Sequence, residues 1–239
     1  MPRIGIGFAG MLAASLSLGC AALPGLAPSG APHRQVASSR LTVTQDQQIP
    51  ALRLNATGDV SFETENEAAI NQASRMDTSA DLSQTNRKSP FSSGEVSLTS
   101  TNGSASAEFS NEGTIGQKAG REASASITAS NDITVVFETA PKGNVTETLS
   151  NEHQIDQKAG KDTNAAITQV DNRTTTGLVA GDTATDTLAN EASIRQRFGR
   201  NASAATAQTL NPGVVFIAAP HQVQDYHNNS SIDQQMGDP

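Results

Sequence analysis

Asn151-Glu-His-Gln-Ile-Asp-Gln157 recurs at four other places in the chain: Asn66-Glu-Ala-Ala-Ile-Asn-Gln72, Asn111-Glu-Gly-Thr-Ile-Gly-Gln117, Asn190-Glu-Ala-Ser-Ile-Arg-Gln196 and, with Asn in place of Glu, Asn228-Asn-Ser-Ser-Ile-Asp-Gln234. The copies start 45, 40, 39 and 38 residues apart. Five spaced copies that keep the same polar identities are hard to ascribe to composition, so the chain reads as a repeat protein. At period two, Leu149, Asn151, His153, Ile155 and Gln157 fall on one face, as do Phe109 to Gln117 and Leu188 to Gln196 in their copies. Thr64 opens the first row and Tyr226 the fifth. The alternate residues are mostly charged or polar, which is the pattern of a strand with one buried face. A helix is excluded, because Thr, Ser, Asn and Gly dominate and no apolar stripe at i, i+3, i+4 persists.

Glycine follows four of the five motifs at a fixed offset, at Gly120, Gly160, Gly199 and Gly237. A tight reversal with positive φ is expected there. Alternation then resumes as Ala80, Leu82, Gln84, as Ala125, Ile127, Ala129, as Ala165, Ile167, Gln169, and as Ala204, Thr206, Gln208. Each motif is therefore a strand, a turn and a second strand. The other half of each period, such as Ile133 to Phe137 and Val145 to Leu149 around Pro141-Lys-Gly-Asn144, repeats the theme less regularly. Two strand-turn-strand units of about 20 residues each are expected per period.

Leu, Ile, Val and Phe number only 45 of the 239 residues, below the range of ordinary globular domains. With so few core side chains an ordinary two-layer enzyme domain is not expected. A unit with one Ile and one or two Ala per strand cannot bury its own face, so units must stack along the strand spacing of about 4.8 Å. Stacked Asn and Gln side chains then donate and accept along the axis. Unstacked, each inward amide would be an unsatisfied buried group costing about 1–3 kcal/mol. The fold class expected is all-β: a β-solenoid of stacked strand-turn-strand units, cross-β when assembled.

The formal net charge is −8, with 16 Lys and Arg, one Tyr and no Trp. That balance argues against a nucleic-acid partner, which needs clustered cations. Met1-Pro2-Arg3 and the apolar run Ile4 to Leu18 have the form of a signal peptide, and residues 1–22 are assigned to it. No other apolar run follows, so no membrane span is expected in the mature chain. The chain's one cysteine, Cys20, follows Leu16-Ser-Leu-Gly19. That context resembles a bacterial lipoprotein signal, with Ser17 where the pattern prefers an aliphatic residue, and makes Cys20 a candidate lipidation site. The alternative is an ordinary signal cleaved near Ala21 or Ala22. No intrachain disulfide is possible either way. Residues 23–61, with Pro24, Pro28 and Pro32, read as a flexible leader, and 62–239 as the repeats.

The pattern Asn-x-x-x-Ile-x-Gln, a Gly turn, then Ala-x-Ile-x-Gln resembles the curlin repeat of bacterial curli fibre subunits. Carried over by position, the resemblance makes Asn66, Gln72, Gln84, Asn111, Gln117, Asn151, Gln157, Gln169, Asn190, Gln196, Gln208, Asn228 and Gln234 the stacking amides. Ile70, Ile115, Ile155, Ile194 and Ile232 form the aliphatic column beside them. The period is nearly twice the family's, the turn is longer by one residue, and Thr78, Ala123, Thr163 and Ala202 stand where the family has a second Asn. The resemblance implies export through the periplasm and an outer-membrane secretion machinery, then polymerisation with itself or a related subunit into fibres for biofilm and adhesion at the cell surface. Two other readings stay open: a monomeric cell-surface solenoid adhesin or binding module, which should have capped ends, and a largely disordered exported chain.

Catalysis has no support. The sequence has no phosphate loop, no nucleophile elbow, no His-Glu-x-x-His and no Cys pair. His221, Asp225 and His227 on one strand would spread over about 20 Å, too far for a shared metal. No cofactor and no metal are expected.

Overall fold

Inward aliphatic and amide side chains alternate with outward polar ones through nearly every repeat, and the structure is correspondingly built of strands alone. It is a computed structural model that describes residues 4–9, 12–17, 39–49, 51–88 and 95–237. Among them no helix occurs, and none could cross a membrane. The chain winds as a β-solenoid of about five turns.

Each coil contributes one long strand to each of two facing sheets. The first sheet stacks β5 (Val60–Ser74), β8 (Ala105–Ala119), β10 (Val145–Ala159), β12 (Thr183–Phe198) and β15 (His221–Met236), all parallel, with β1 (Ile4–Ala9) beside β5. The second stacks β3 (Ser39–Ile49), β6 (Thr78–Lys88), β9 (Ala123–Ala140), β11 (Asp162–Ala180) and β13 (Asn201–Asn211) in parallel, with β2 (Leu12–Ser17) antiparallel to β3. The short strands β4 (Leu52–Ala56), β7 (Glu95–Ser100) and β14 (Val214–Ala218) extend it. Register is set by the motif: Asn66, Asn111, Asn151, Asn190 and Asn228 are successive Cα partners, as are the five Ile and the five Gln.

Three expectations are corrected. The period holds one coil of two long strands, not two units of 20 residues. No turn separates Val145 from Asn151, so the irregular half-repeat and the motif are one continuous strand. Residues 39–49 and 52–56, assigned to the leader, are strands: Val43, Gln45, Gln47 and Ile49 point inward and β3 pairs in register with β6. They repeat the alternation of the second sheet one period early. The turn glycines do not take positive φ, which among the described residues belongs to Gly213 alone, at 64°. Glycine is needed at Gly120 and Gly199 because a Cβ would collide with the carbonyl oxygen of Arg75 or of Gly160 in the preceding coil. Cys20 and residues 23–38 lie outside the described residues.

The second sheet bends once per coil. Ile133 and Arg173 point inward, and so do Val136 and Thr176 three residues on, a shift of phase by one. The bend in the last coil is Pro212-Gly213, where positive φ demands glycine.

In cross-section the core is layered. An aliphatic layer containing Leu98, Phe109, Val145, Leu149 and Leu188 fills one end, with Phe62 and Phe109 tilted ring to ring at 5.6 Å. A second layer holds Ile70, Ile115, Ile155 and Ile194 against Leu82, Ile127 and Ile167. The inward Asn rows, flanked by Gln84 and Gln169, separate the two layers in each strand's sequence. Ile232 keeps its place in the column but is 47% exposed, because β15 is the last strand of its sheet and no further described coil covers it. Ile155→Ala should therefore lower unfolding free energy by about 2–5 kcal/mol and Ile232→Ala by under about 1 kcal/mol. Urea unfolding followed by circular dichroism measures both.

Candidate functional site

Parallel in-register pairing puts identical side chains one above another, and the carboxamide is the side chain best fitted to such a column because it donates and accepts at once. The Asn column is continuous: Nδ2 of Asn66, Asn111, Asn151 and Asn190 donates to Oδ1 of the Asn in the next coil, at 2.8, 2.8, 2.8 and 3.0 Å. The Gln column runs the opposite way. Nε2 of Gln117, Gln157, Gln196 and Gln234 donates to Oε1 of the Gln in the preceding coil, at 2.8–2.9 Å. Each Gln in Gln72, Gln117, Gln157 and Gln196 also donates to a backbone carbonyl seven residues on, bracing the turn to the second sheet.

A second amide row faces the first from the other sheet and was not among the predicted residues. Asn86 donates to Asn131 at 2.9 Å and Asn131 to Asp171 at 2.8 Å. The rows cross-link: Asn66 donates to Asn86, Asn111 to Asn131 and Asn151 to Asp171. The signal was present in the sequence as a constant offset, since each of these partners lies 20 residues after its Asn.

Gln84, Gln169 and Gln208 belong to a further column that begins at Gln45, and this column has a gap at Ala129. His153 fills it from the opposite sheet. Its Nδ1 accepts from Gln169 Nε2 at 3.0 Å and its Nε2 lies 2.7 Å from Gln84 Oε1. One neutral tautomer, with the proton on Nε2, completes the line from Gln208 through Gln169, His153 and Gln84 to Gln45. Burial pushes the His153 pKa down to about 3, so that tautomer persists at neutral pH. Space for the ring comes from Gly113 one coil below, where a Cβ would stand 2.8 Å from Gln84 Oε1 and 2.9 Å from the imidazole.

Beyond the Asn rows the core encloses charge. Arg173 makes a two-pronged contact with Asp186, at 2.6 and 2.8 Å, and reaches Glu147 at 3.0 Å, all three with side chains fully buried. Thr176 donates to Glu147 at 2.9 Å, and the Tyr226 hydroxyl donates to Asp186. Glu138, also fully buried, has no side-chain hydrogen-bond partner among the described residues, and only the backbone amides of Ala107 and Thr146 lie against its carboxyl. Burial, then the charge of Glu147, raises its pKa well above the carboxylate range. Burial also raises Glu147 to about 7 against the pull of Arg173, and Asp171 to about 7 against its two Asn donors. One cation thus faces four carboxyls, and the core is neutral only when some of them hold protons.

Among the described residues no three His, Cys, Asp or Glu are grouped to hold a metal ion. His227 instead contacts Asp225 and Glu191, while His221 lies near Asp182. All the predicted stacking amides take part in the columns, with Asn228 and Gln234 at the edge. No family model, curated protein or solved structure matches this chain.

His153→Ala leaves Gln84 Oε1 without its partner and a cavity in place of the ring, while Gln169 Nε2 keeps the carbonyls of Asn151 and Glu191, and should lower stability by about 2–4 kcal/mol. Adding Ala129→Gln to that variant refills the column from its own sheet and should recover at least half of the loss. A double-mutant cycle in urea checks this.

The buried acids also set a pH dependence. Glu138, Glu147 and Asp171 hold protons in the folded chain at pH values where the unfolded chain has released them, so each stabilises the fold as pH falls from 7 to about 4.5. His153, lowered from 6.5 to about 3, acts in the opposite sense as pH falls through that interval. With three acids against one imidazole, the urea midpoint should be higher at pH 5 than at pH 8. Glu138→Gln should raise the pH 8 midpoint and reduce the difference, an effect on the order of 1–3 kcal/mol.

Proposed function

We propose that the chain is an exported structural subunit that adds end to end to copies of itself, forming curli-like amyloid fibres at the cell surface for adhesion and biofilm. The observation that carries this reading is the opposed polarity of the two amide columns. At one end Asn66 Oδ1 is buried without a hydrogen-bond partner. At the other end Asn228 accepts from Asn190, and no described coil receives its Nδ2 protons. The Gln column has the reverse complement, with the Gln234 carbonyl at the last coil and a Gln72 donor proton at the first.

A second copy in the same orientation would match both columns at once, donor to acceptor in each. A copy turned end for end would place donor on donor. Among the described residues β15 pairs with β12 alone, and over Asn66–Ala73 the outer edge of β5 has no strand partner. Release of the expected signal peptide would open the rest of that edge. Open edges of regular parallel strands are templates for further pairing.

The test is growth from denaturant, with thioflavin fluorescence over time and fibre diffraction of the product. A lag abolished by seeds and reflections near 4.7 and 10 Å support the proposal. A soluble monomer that unfolds cooperatively contradicts it and favours the cell-surface adhesin. Asn228→Asp, which turns the last donor into an acceptor facing the acceptor of Asn66, should slow seeded elongation at least fivefold. Its effect on the urea midpoint of the monomer should stay within about 1 kcal/mol.

A further inference from the structure

The exposed cations of this solenoid are arranged in two different ways. On the second sheet three are paired with a carboxylate of the neighbouring coil: Arg40 with Asp81, Arg53 with Glu95 and Arg87 with Asp46. Near the turn that leaves the first sheet, cation stacks on cation. Lys118, Lys158 and Arg197 are successive Cα partners in β8, β10 and β12. Arg121, Lys161 and Arg200 form a second column, linked coil to coil by backbone hydrogen bonds from Lys161 to Arg121 and from Arg200 to Lys161. None of the six makes an ion pair or side-chain hydrogen bond with a described residue, and all six are exposed or half-exposed.

Stacking at about 4.8 Å leaves like charges side by side in each column. Carboxylates lie beside the second column, Glu122 next to Arg121 and Asp162 next to Lys161, whereas near the first column Asp233 lies against Arg195. A surface groove of about 510 Å³ runs beside the first column, lined by Lys118, Lys158, Arg195 and Arg197 with Asp156 the one carboxylate. Its floor is Gly116, where the neighbouring coils carry Asn71 and Asp156.

We propose that this groove and its two cation columns bind a linear acidic polysaccharide, laid along the solenoid axis with about one anionic sugar ring per coil. The reasons are spacing and shape. Cations repeat at one coil height, close to the advance of an extended pyranose chain per ring. The groove is lined by amide and charged side chains, and no Trp or Tyr stands on it to stack a base, which disfavours a single-stranded nucleic acid. A column of Glu67, Glu112, Glu152 and Glu191 on the same sheet lies six residues earlier. That is about 20 Å along the strand, beyond the range of screened attraction in physiological salt. The Glu column therefore does not neutralise Lys118, Lys158 and Arg197, and it confines a polyanion to the turn side of the face. The site lies on the flank of the solenoid, so it is present in a monomer and in a fibre alike.

The test is titration of the full-length chain at 50 mM salt with polygalacturonate, with oligothymidylate and neutral dextran in parallel. Lys118→Gln/Lys158→Gln/Arg197→Gln is compared with the charge-matched Arg40→Gln/Arg53→Gln/Arg87→Gln. Binding of polygalacturonate that is weakened at least tenfold by the first triple and less than twofold by the second, and weakened by salt, is the expected result. Arg121→Gln/Lys161→Gln/Arg200→Gln provides a second variant of the same surface if the first loses its β-sheet circular dichroism, and it too should weaken binding at least fivefold. No binding of polygalacturonate, equal losses in the groove and control triples, or tighter binding of oligothymidylate would each overturn the proposal.

Discussion

Everything in this structure depends on side-chain amides bonding along the axis of a stack held in parallel register. A chain with so few large apolar residues cannot rely on a wide hydrophobic core, yet it buries Asn and Gln in almost every coil. Those groups are tolerable inside only if each meets a partner, and the partner is the same residue one coil away. The amide columns therefore fix register as firmly as they add stability. A slip of one residue would turn every inward amide outward and every outward charge inward.

The exceptions to the repeat are informative because they come in complementary sets. Ala129 breaks a Gln column, His153 closes it from the other sheet, and Gly113 makes room for the ring. The inward places of Phe62 and Ala107 become Glu147 and Asp186 two coils later, where Arg173 stands against them. The Asn row of the second sheet ends in Asp171, which accepts from two Asn donors and faces the same arginine cluster. A buried network of this kind specifies one arrangement of coils. Its fully buried carboxyls, Glu138 above all, tie that arrangement to the supply of protons.

The strands and the five-fold Asn, Ile and Gln columns were legible in the sequence because period-two alternation and fixed identities survive in every copy. The all-β solenoid follows from that pattern and from the scarcity of core residues. The size of the coil was not legible. Turn-like residues around Pro141 and Gly160 mark two reversals per period, but the weaker alternation of Ile133 to Leu149 suggested further strand ends where the chain runs straight or bends by one residue. Coil one was hidden for a different reason: residues 39–56 lack the Asn-Glu signature, which belongs to the first sheet only. The role of His153 could not be read from a sequence, since it depends on a neighbour 69 residues away across the core.

The most direct test of the account is the distance between spin labels at Glu67 and Asn229, both outward on the first sheet, in a Cys20→Ser chain diluted with unlabelled protein. One coil per period places them four coil heights apart, so double electron–electron resonance should give about 19 Å. Two coils per period, as separate 20-residue units would stack, require about 38 Å, and that result would contradict the fold and the columns built on it.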